Sequence, residues 1–303
     1  MNSFMTLIRR EWIQHRFGWS LLVLVPLALT LLALAFGTVE IGDEEHSTPP
    51  QLLAPLLTLA AVMGTMVASF GILSLTSLFL ITGLARRDHA DRSVEFWLSL
   101  PTSHSASLGA PLLTHLLLVP AAALVLGLAA GLLVSALVVT RVLGFEAWLA
   151  LPWASVLPAT TAVLLRVLAG LPLAVMWLSP LLLAVVLADA WLKRWGLPVL
   201  LLGGLLVAVA LERLLGDGVV GNALRELFGH AREALLAATP MNMGGGPERV
   251  QAVMHVLPGW ALQDYGAALK ALLQPMFLVC LALSAALFAA LVNWRRRGAS
   301  AAS

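Results

Sequence analysis

Few residues in this chain have the type and spacing to do chemistry. Glu226, His230 and Glu233 stand four and three residues apart, so on a helix they share one face. A carboxylate–imidazole–carboxylate trio is the nearest approach to a metal site, but it reads better as a solvated surface cluster, and no metal is expected. Asp264 and Tyr265 precede the last apolar run and read as the polar start of a helix. Cys280 is the only cysteine; alone it makes neither an internal disulfide nor a cysteine-based metal site, and it fits a small buried hydrophobe. The sequence contains no GxxxxGK[ST] phosphate loop, no HExxH and no GxSxG. The expectation is a non-enzyme with no catalytic residue and no cofactor of its own.

The elements that would position such residues are membrane helices. Of 303 residues, 60% are hydrophobic and only 11% charged, whereas a soluble domain is near 45–50% apolar and about 25% charged. About 20 apolar residues of helix cross a bilayer. Six runs qualify: 17–36, 52–85, 108–139, 167–188, 197–211 and 271–292. The fold class expected is therefore all-α, a polytopic bundle of six spans with short interfacial helices. Pro26, Pro111, Pro120, Pro172 and Pro180 fall inside spans, where proline is tolerated. Gly64, Gly71, Ser69, Ser74, Thr76 and Ser77 fall in the second span, where such residues either pack helices closely or line a pathway. Residues 141–160, with Trp148 and Trp153 among prolines, suit an interfacial loop or short surface helix. Residues 212–270 form the longest segment outside the spans. Within it, Leu227, Phe228, Ala231 and Leu235 have helical spacing, Gly244 to Gly246 read as a link, Pro258-Gly259 as a turn and Trp260 as an interface anchor.

Charge gives the topology. Six alternating spans put eleven of the 18 basic residues, including Arg9, Arg10, Arg16, Arg86, Arg87, Arg92, Lys193, Arg194 and Arg295 to Arg297, on the side of both termini. The positive-inside rule makes that side cytoplasmic, with residues 1–16 an amphipathic lead, 294–303 a basic tail, and both the Glu40–Glu45 loop and 212–270 outside. The second, third and last spans carry no charge; Arg166 and Glu212 fall at span ends, where long side chains reach water. The lack of buried carboxylates argues against an ion-driven carrier.

The most charged short stretch, Arg86 to Arg92, leads into Ser93-Val94-Glu95-Phe96-Trp97-Leu98-Ser99-Leu100-Pro101. Val94, Trp97 and Leu98 share a helical face, and Pro101 ends the helix. Such a helix between two spans is either an interfacial anchor or an element that docks on a cytosolic partner.

Three stretches resemble the membrane subunits of type-2 ABC transporter permeases. They are Leu7 to Trp12, a basic lead before the first span; Arg92 to Pro101, similar to the family's RS-x-x-FW-x-SLP pattern; and Pro172 to Trp195. The resemblance implies a permease, an exporter of the bacterial inner membrane, working with a second permease copy or paralogue. It further implies a cytosolic ATPase dimer that carries ATP and Mg. The surfaces it assigns to that ATPase are Arg86, Arg87, Asp88, Asp91, Arg92, Glu95, Phe96 and Trp97 in region 86–101, and Arg9, Arg10, Glu11 and Trp12 in the lead. Nucleic acid is not an expected partner. Trp195-Gly196-Leu197-Pro198 departs from the aromatic- and proline-rich opening usual for the fifth span, which leaves subfamily and substrate open. An ion-coupled carrier and a non-transporting scaffold share the same hydropathy.

Overall fold

In the computed structural model, residues 3–37, 49–84, 103–192, 195–215, 218–239 and 249–300 are described, and all their regular elements are helical. In chain order these are α1 (Ser3–Phe36), α2 (Pro50–Thr82), α3 (His104–Leu143), α4 (Phe145–Leu149), α5 (Trp153–Leu192), α6 (Gly196–Leu215), α7 (Val219–Leu235), α8 (Arg249–Ala271) and α9 (Pro275–Ser300). Five of them, α1, α2, α3, α5 and α9, are long and apolar enough to cross a membrane. The chain is thus an all-helical, multi-pass membrane protein. The run expected as the fifth span forms α6, whose large apolar side chains such as Leu201 and Leu206 face outward. Region 86–101 and the Glu40–Glu45 and Gly244–Gly246 segments lie outside the described residues.

Two helices anchor the packing. α3 lies along α2, and α5 collects α6, α7, α8 and α9. The close approach of α2 and α3 comes from Gly127 and Gly131, four apart on one face of α3. A Cβ at Gly131 would sit 2.7 Å from the Val62 Cα, and one at Gly127 would sit 2.8 Å from the Met66 Cα. This small-xxx-small contact lets backbones touch. Gly64 and Gly71, the expected packing glycines, have no neighbour within 4 Å of a built Cβ. Ser77 is buried, and Thr76 returns its hydroxyl to the Ile72 carbonyl, the satisfied state of a polar group within a helix.

At 40 residues, α5 is about 60 Å long, twice a bilayer's hydrocarbon thickness. It absorbs Trp153 to Thr160, so the expected surface segment at 141–160 shrinks to the end of α3, the five-residue α4 and a short turn. Trp148 and Trp153 pack edge to face there, with centroids 4.7 Å apart. α5 runs unbroken through Pro158, Pro172 and Pro180. Pro180 has no N–H for the Met176 carbonyl, and the Ser179 hydroxyl supplies a hydrogen bond to that oxygen at 2.7 Å. Ser179 also lies 2.6 Å from the Ser284 hydroxyl, joining α5 to α9.

The described parts of 212–270, α7 and α8, do not stand clear of the bundle. Leu227, Ala231 and Ala234 of α7 share a core with Leu173, Ala174 and Trp177 of α5 and with Phe277 and Cys280 of α9. Cys280 is the buried hydrophobe its surroundings imply. Phe228, expected on the apolar face of α7, is exposed instead. Pro258-Gly259 makes no turn; both residues lie inside α8. Arg295 and Arg296 continue α9 rather than following it.

Candidate functional site

The first polar centre joins α5, α7 and α8. Arg166 lies thirteen residues into α5 rather than at a span end, and it is buried, with its charge paired instead of reaching water. Its partner is Asp264, which lies in the interior of α8 and is fully buried rather than a polar helix start. Arg166 Nε donates to Asp264 Oδ2 at 2.7 Å, and Nη2 lies 2.7 Å from the same oxygen. The rest of the guanidinium closes the end of α7. Nη1 donates to the carbonyls of Ala234 (2.9 Å) and Leu235 (3.2 Å), and Nη2 to that of Glu233 (3.1 Å). The last carbonyls of a helix have no intrahelical donors and carry its negative dipole end, so a cation is the fitting cap. Four of the five guanidinium N–H groups are thus in hydrogen bonds, and Nη2 is also in ionic contact with the carboxylate.

Asp264 is equally saturated. Beyond Arg166 it accepts from the Ala237 N–H at 3.1 Å and from the Thr239 N–H and hydroxyl, the latter at 3.0 Å. Ala237 has φ +66°, a left-handed conformation unusual for a residue with a Cβ, and its bond to Asp264 holds the chain reversal there. Trp260 Nε1 donates to the Thr239 carbonyl, so this tryptophan braces the loop. Tyr265 places its ring 5.7 Å below the Arg166 guanidinium, within cation–π range. Gly170 leaves the room: a Cβ there would overlap the Ala234 carbonyl and stand 2.5 Å from Arg166 Nη1.

One consequence is measurable. Thr239→Val keeps the shape and removes the hydroxyl donated to a buried carboxylate, so a loss of about 1.5–3 kcal/mol is expected. Denaturant unfolding in detergent micelles checks it; an unchanged midpoint would mean the hydroxyl contributes nothing.

The second polar centre lies where α1 meets α3. Glu11 is turned inward and 1% exposed, while Arg9 and Trp12 stay on the surface and Arg10 is half-buried. Of the four contact candidates in the lead, Glu11 is the one turned into the bundle. Arg10 Nε stands 3.6 Å from Glu11 Oε1, and His115 Nε2 stands 3.5 Å from Glu11 Oε2. His15, one helical turn on from Glu11, completes a trio whose ligand atoms lie within 4.8 Å of one another. Trp19 closes the apolar side, its ring centroid 5.5 Å from His15 and 5.6 Å from His115.

His115 is delivered by a π-helical turn, Thr114–Leu118, in which the Val119 N–H reaches back five residues to the Thr114 carbonyl. Pro120, next in line, cannot donate and crowds the carbonyl four residues before it, which favours such a widened turn. The sequence reading missed this centre. Its local half, Glu11 and His15 at helical i,i+4 spacing, was legible; the approach of His115 across 100 residues was not.

Glu226, His230 and Glu233 do not form one cluster. His230 stacks on Trp177, centroids 4.6 Å apart, and lies 3.7 Å from Glu233, while Glu226 is exposed. Arg86, Arg87, Asp88, Asp91, Arg92, Glu95, Phe96 and Trp97 fall outside the described residues. Buried carboxylates do exist, at Glu11, Asp189 and Asp264, contrary to expectation. No family model, curated protein or solved structure matches the chain. Its fold and its two polar centres together define a multi-pass helical membrane protein with buried, paired charge between its helices.

Proposed function

We propose that the chain is the membrane-spanning subunit of a type-2 ABC permease, an exporter that pairs with a second permease copy and is driven by a separate cytosolic ATPase. The observation that carries this reading is the Arg92–Pro101 sequence, set in the connection between α2 and α3. Those helices touch backbone to backbone at Gly127 and Gly131, so a push on their connection moves them as a unit. The outward apolar rows of α1 and α6, such as Leu24, Leu29, Leu201 and Leu206, suit lipid or a second copy. The termini and the basic clusters then lie in the cytoplasm, and α6 completes the six spans as the fifth in order.

The test is co-purification with the ATPase and its hydrolysis rate, each normalised to permease recovered from membranes. Exposed ion pairs are worth about 0.2–1 kcal/mol each, so removing Arg92 or Glu95 alone is expected to be mild. Reversing both charges, Arg92→Glu with Glu95→Arg, adds repulsion and is expected to weaken ATPase recovery more than either removal. Normal recovery and hydrolysis in the double reversal and in Trp97→Ala would remove the coupling role from this stretch.

A second reading, an ion-coupled carrier, gains from the buried charges at Glu11 and at Arg166–Asp264, since paired intramembrane charge often marks an ion path. Substrate uptake by proteoliposomes of the chain alone, abolished by an ionophore, would favour it over the permease.

A further inference from the structure

We propose that Glu11, His15 and His115 form a binding site for a divalent transition metal ion of the zinc class, joining α1 to the π turn of α3. Three observations converge. The donors are two imidazoles and one carboxylate, the set that zinc and its first-row neighbours prefer. Their spacing suits such an ion. Ligands held tetrahedrally at about 2.0–2.1 Å stand about 3.4 Å apart. His115 Nε2 and Glu11 Oε2 are 3.5 Å apart, long for a charge-assisted hydrogen bond and right for the edge of a metal tetrahedron. The full trio spans 4.8 Å, and His15, half-buried at the open side, closes the remainder by a small ring rotation.

The third observation is His115 itself. It is fully buried, and neither ring nitrogen makes a hydrogen bond among the described residues. A buried imidazole without a hydrogen bond costs free energy, and a metal ion in front of Nε2 removes that cost at this nitrogen. The protein supports the position: the π turn aims the ring, Trp19 walls off one side, and Arg10 holds Oε1 so that Oε2 faces the imidazoles. Second-sphere restraints of this kind orient metal ligands. Glu11 and His15 come from a single turn of α1, so the ion would fasten the N-terminal helix to the bundle.

The test uses the full chain in detergent, stripped with chelator, and Co²⁺ as the probe. The expected result is one equivalent of Co²⁺ with the intense visible absorption of a tetrahedral site, displaced by Zn²⁺. Metal should also raise the thermal unfolding midpoint. His115→Gln and His15→Asn are each expected to weaken Co²⁺ binding at least tenfold, while His230→Gln, on the other imidazole–carboxylate pair, leaves it unchanged. If His115→Gln fails to fold, His15→Asn decides, because its side chain is only half-buried. Absence of a one-equivalent tetrahedral band overturns the site. So does a band that survives in each histidine variant that folds. The outcome is independent of ATP and of any partner, so it stands or falls apart from the permease reading.

Discussion

Asp264→Ala is expected to destabilise the protein by about 3–5 kcal/mol, because it strands the Arg166 charge in a buried site. Asp264→Asn should fall between this variant and the parent, since the amide still accepts hydrogen bonds but leaves the cation unneutralised. Removing both charges, Arg166→Met with Asp264→Leu, would be near neutral if the pair were an isolated ion pair. Here it is not. The guanidinium also caps the Glu233, Ala234 and Leu235 carbonyls, and the carboxylate holds the Ala237 and Thr239 N–H groups. Each buried group left unmatched costs about 1–3 kcal/mol, so the double variant should remain clearly less stable than the parent. Denaturant unfolding in micelles, followed by tryptophan fluorescence, measures all three. A change under about 1 kcal/mol in Asp264→Ala would contradict the buried pair.

Gly131→Leu is expected to separate α2 from α3 and to lower folded yield sharply. Even the first carbon of the new side chain meets the Val62 backbone at 2.7 Å, and backbone cannot turn aside as a flexible side chain can. Overpacking of this sort costs about 1–3 kcal/mol or more. Gly131→Ala should show a milder form of the same loss. The contrast lies with Gly64→Ala and Gly71→Ala, which meet open space and should be neutral or stabilising by up to about 1 kcal/mol through helix propensity. Thermal unfolding of the purified variants ranks them. Equal behaviour at Gly64 and Gly131 would rule out the close helix contact.

The span pattern was legible because it depends on composition over twenty residues, and hydropathy averages well at that length. The same averaging hid both polar centres. Arg166 and Asp264 are 98 residues apart, and nothing local to either marks it as one half of a buried pair. Arg166 stands at the edge of the apolar run 167–188 and so reads as a span end, whereas the helix begins thirteen residues earlier at Trp153. The Pro258-Gly259 pair misled for a related reason: α8 packs on α5, and burial of Met254, Leu257 and Ala261 outweighs the local turn preference. Gly127 and Gly131 have small-xxx-small spacing, but Gly64 and Gly71, set among hydroxyl residues, carry the same local signal. Which glycine meets a neighbour depends on the rotation of each helix, and one sequence does not contain that angle.

The π turn of α3 acts as a phase shifter. A residue advances an α-helix by about 100°, and a π turn holds one residue more than the ladder expects, so everything after it is rotated by about that angle. Before the turn, Leu108 packs with Val186 of α5 and Leu291 of α9; after it, Val119 and Ala123 face Trp19 and Leu73. A strictly periodic helix would keep the same heading toward its neighbours over its whole length. With the offset, the apolar residue ahead of the turn joins the cluster shared with α5 and α9, those after it join the cluster shared with α1 and α2, α1 lies along both parts, and His115 sits at the change of gear.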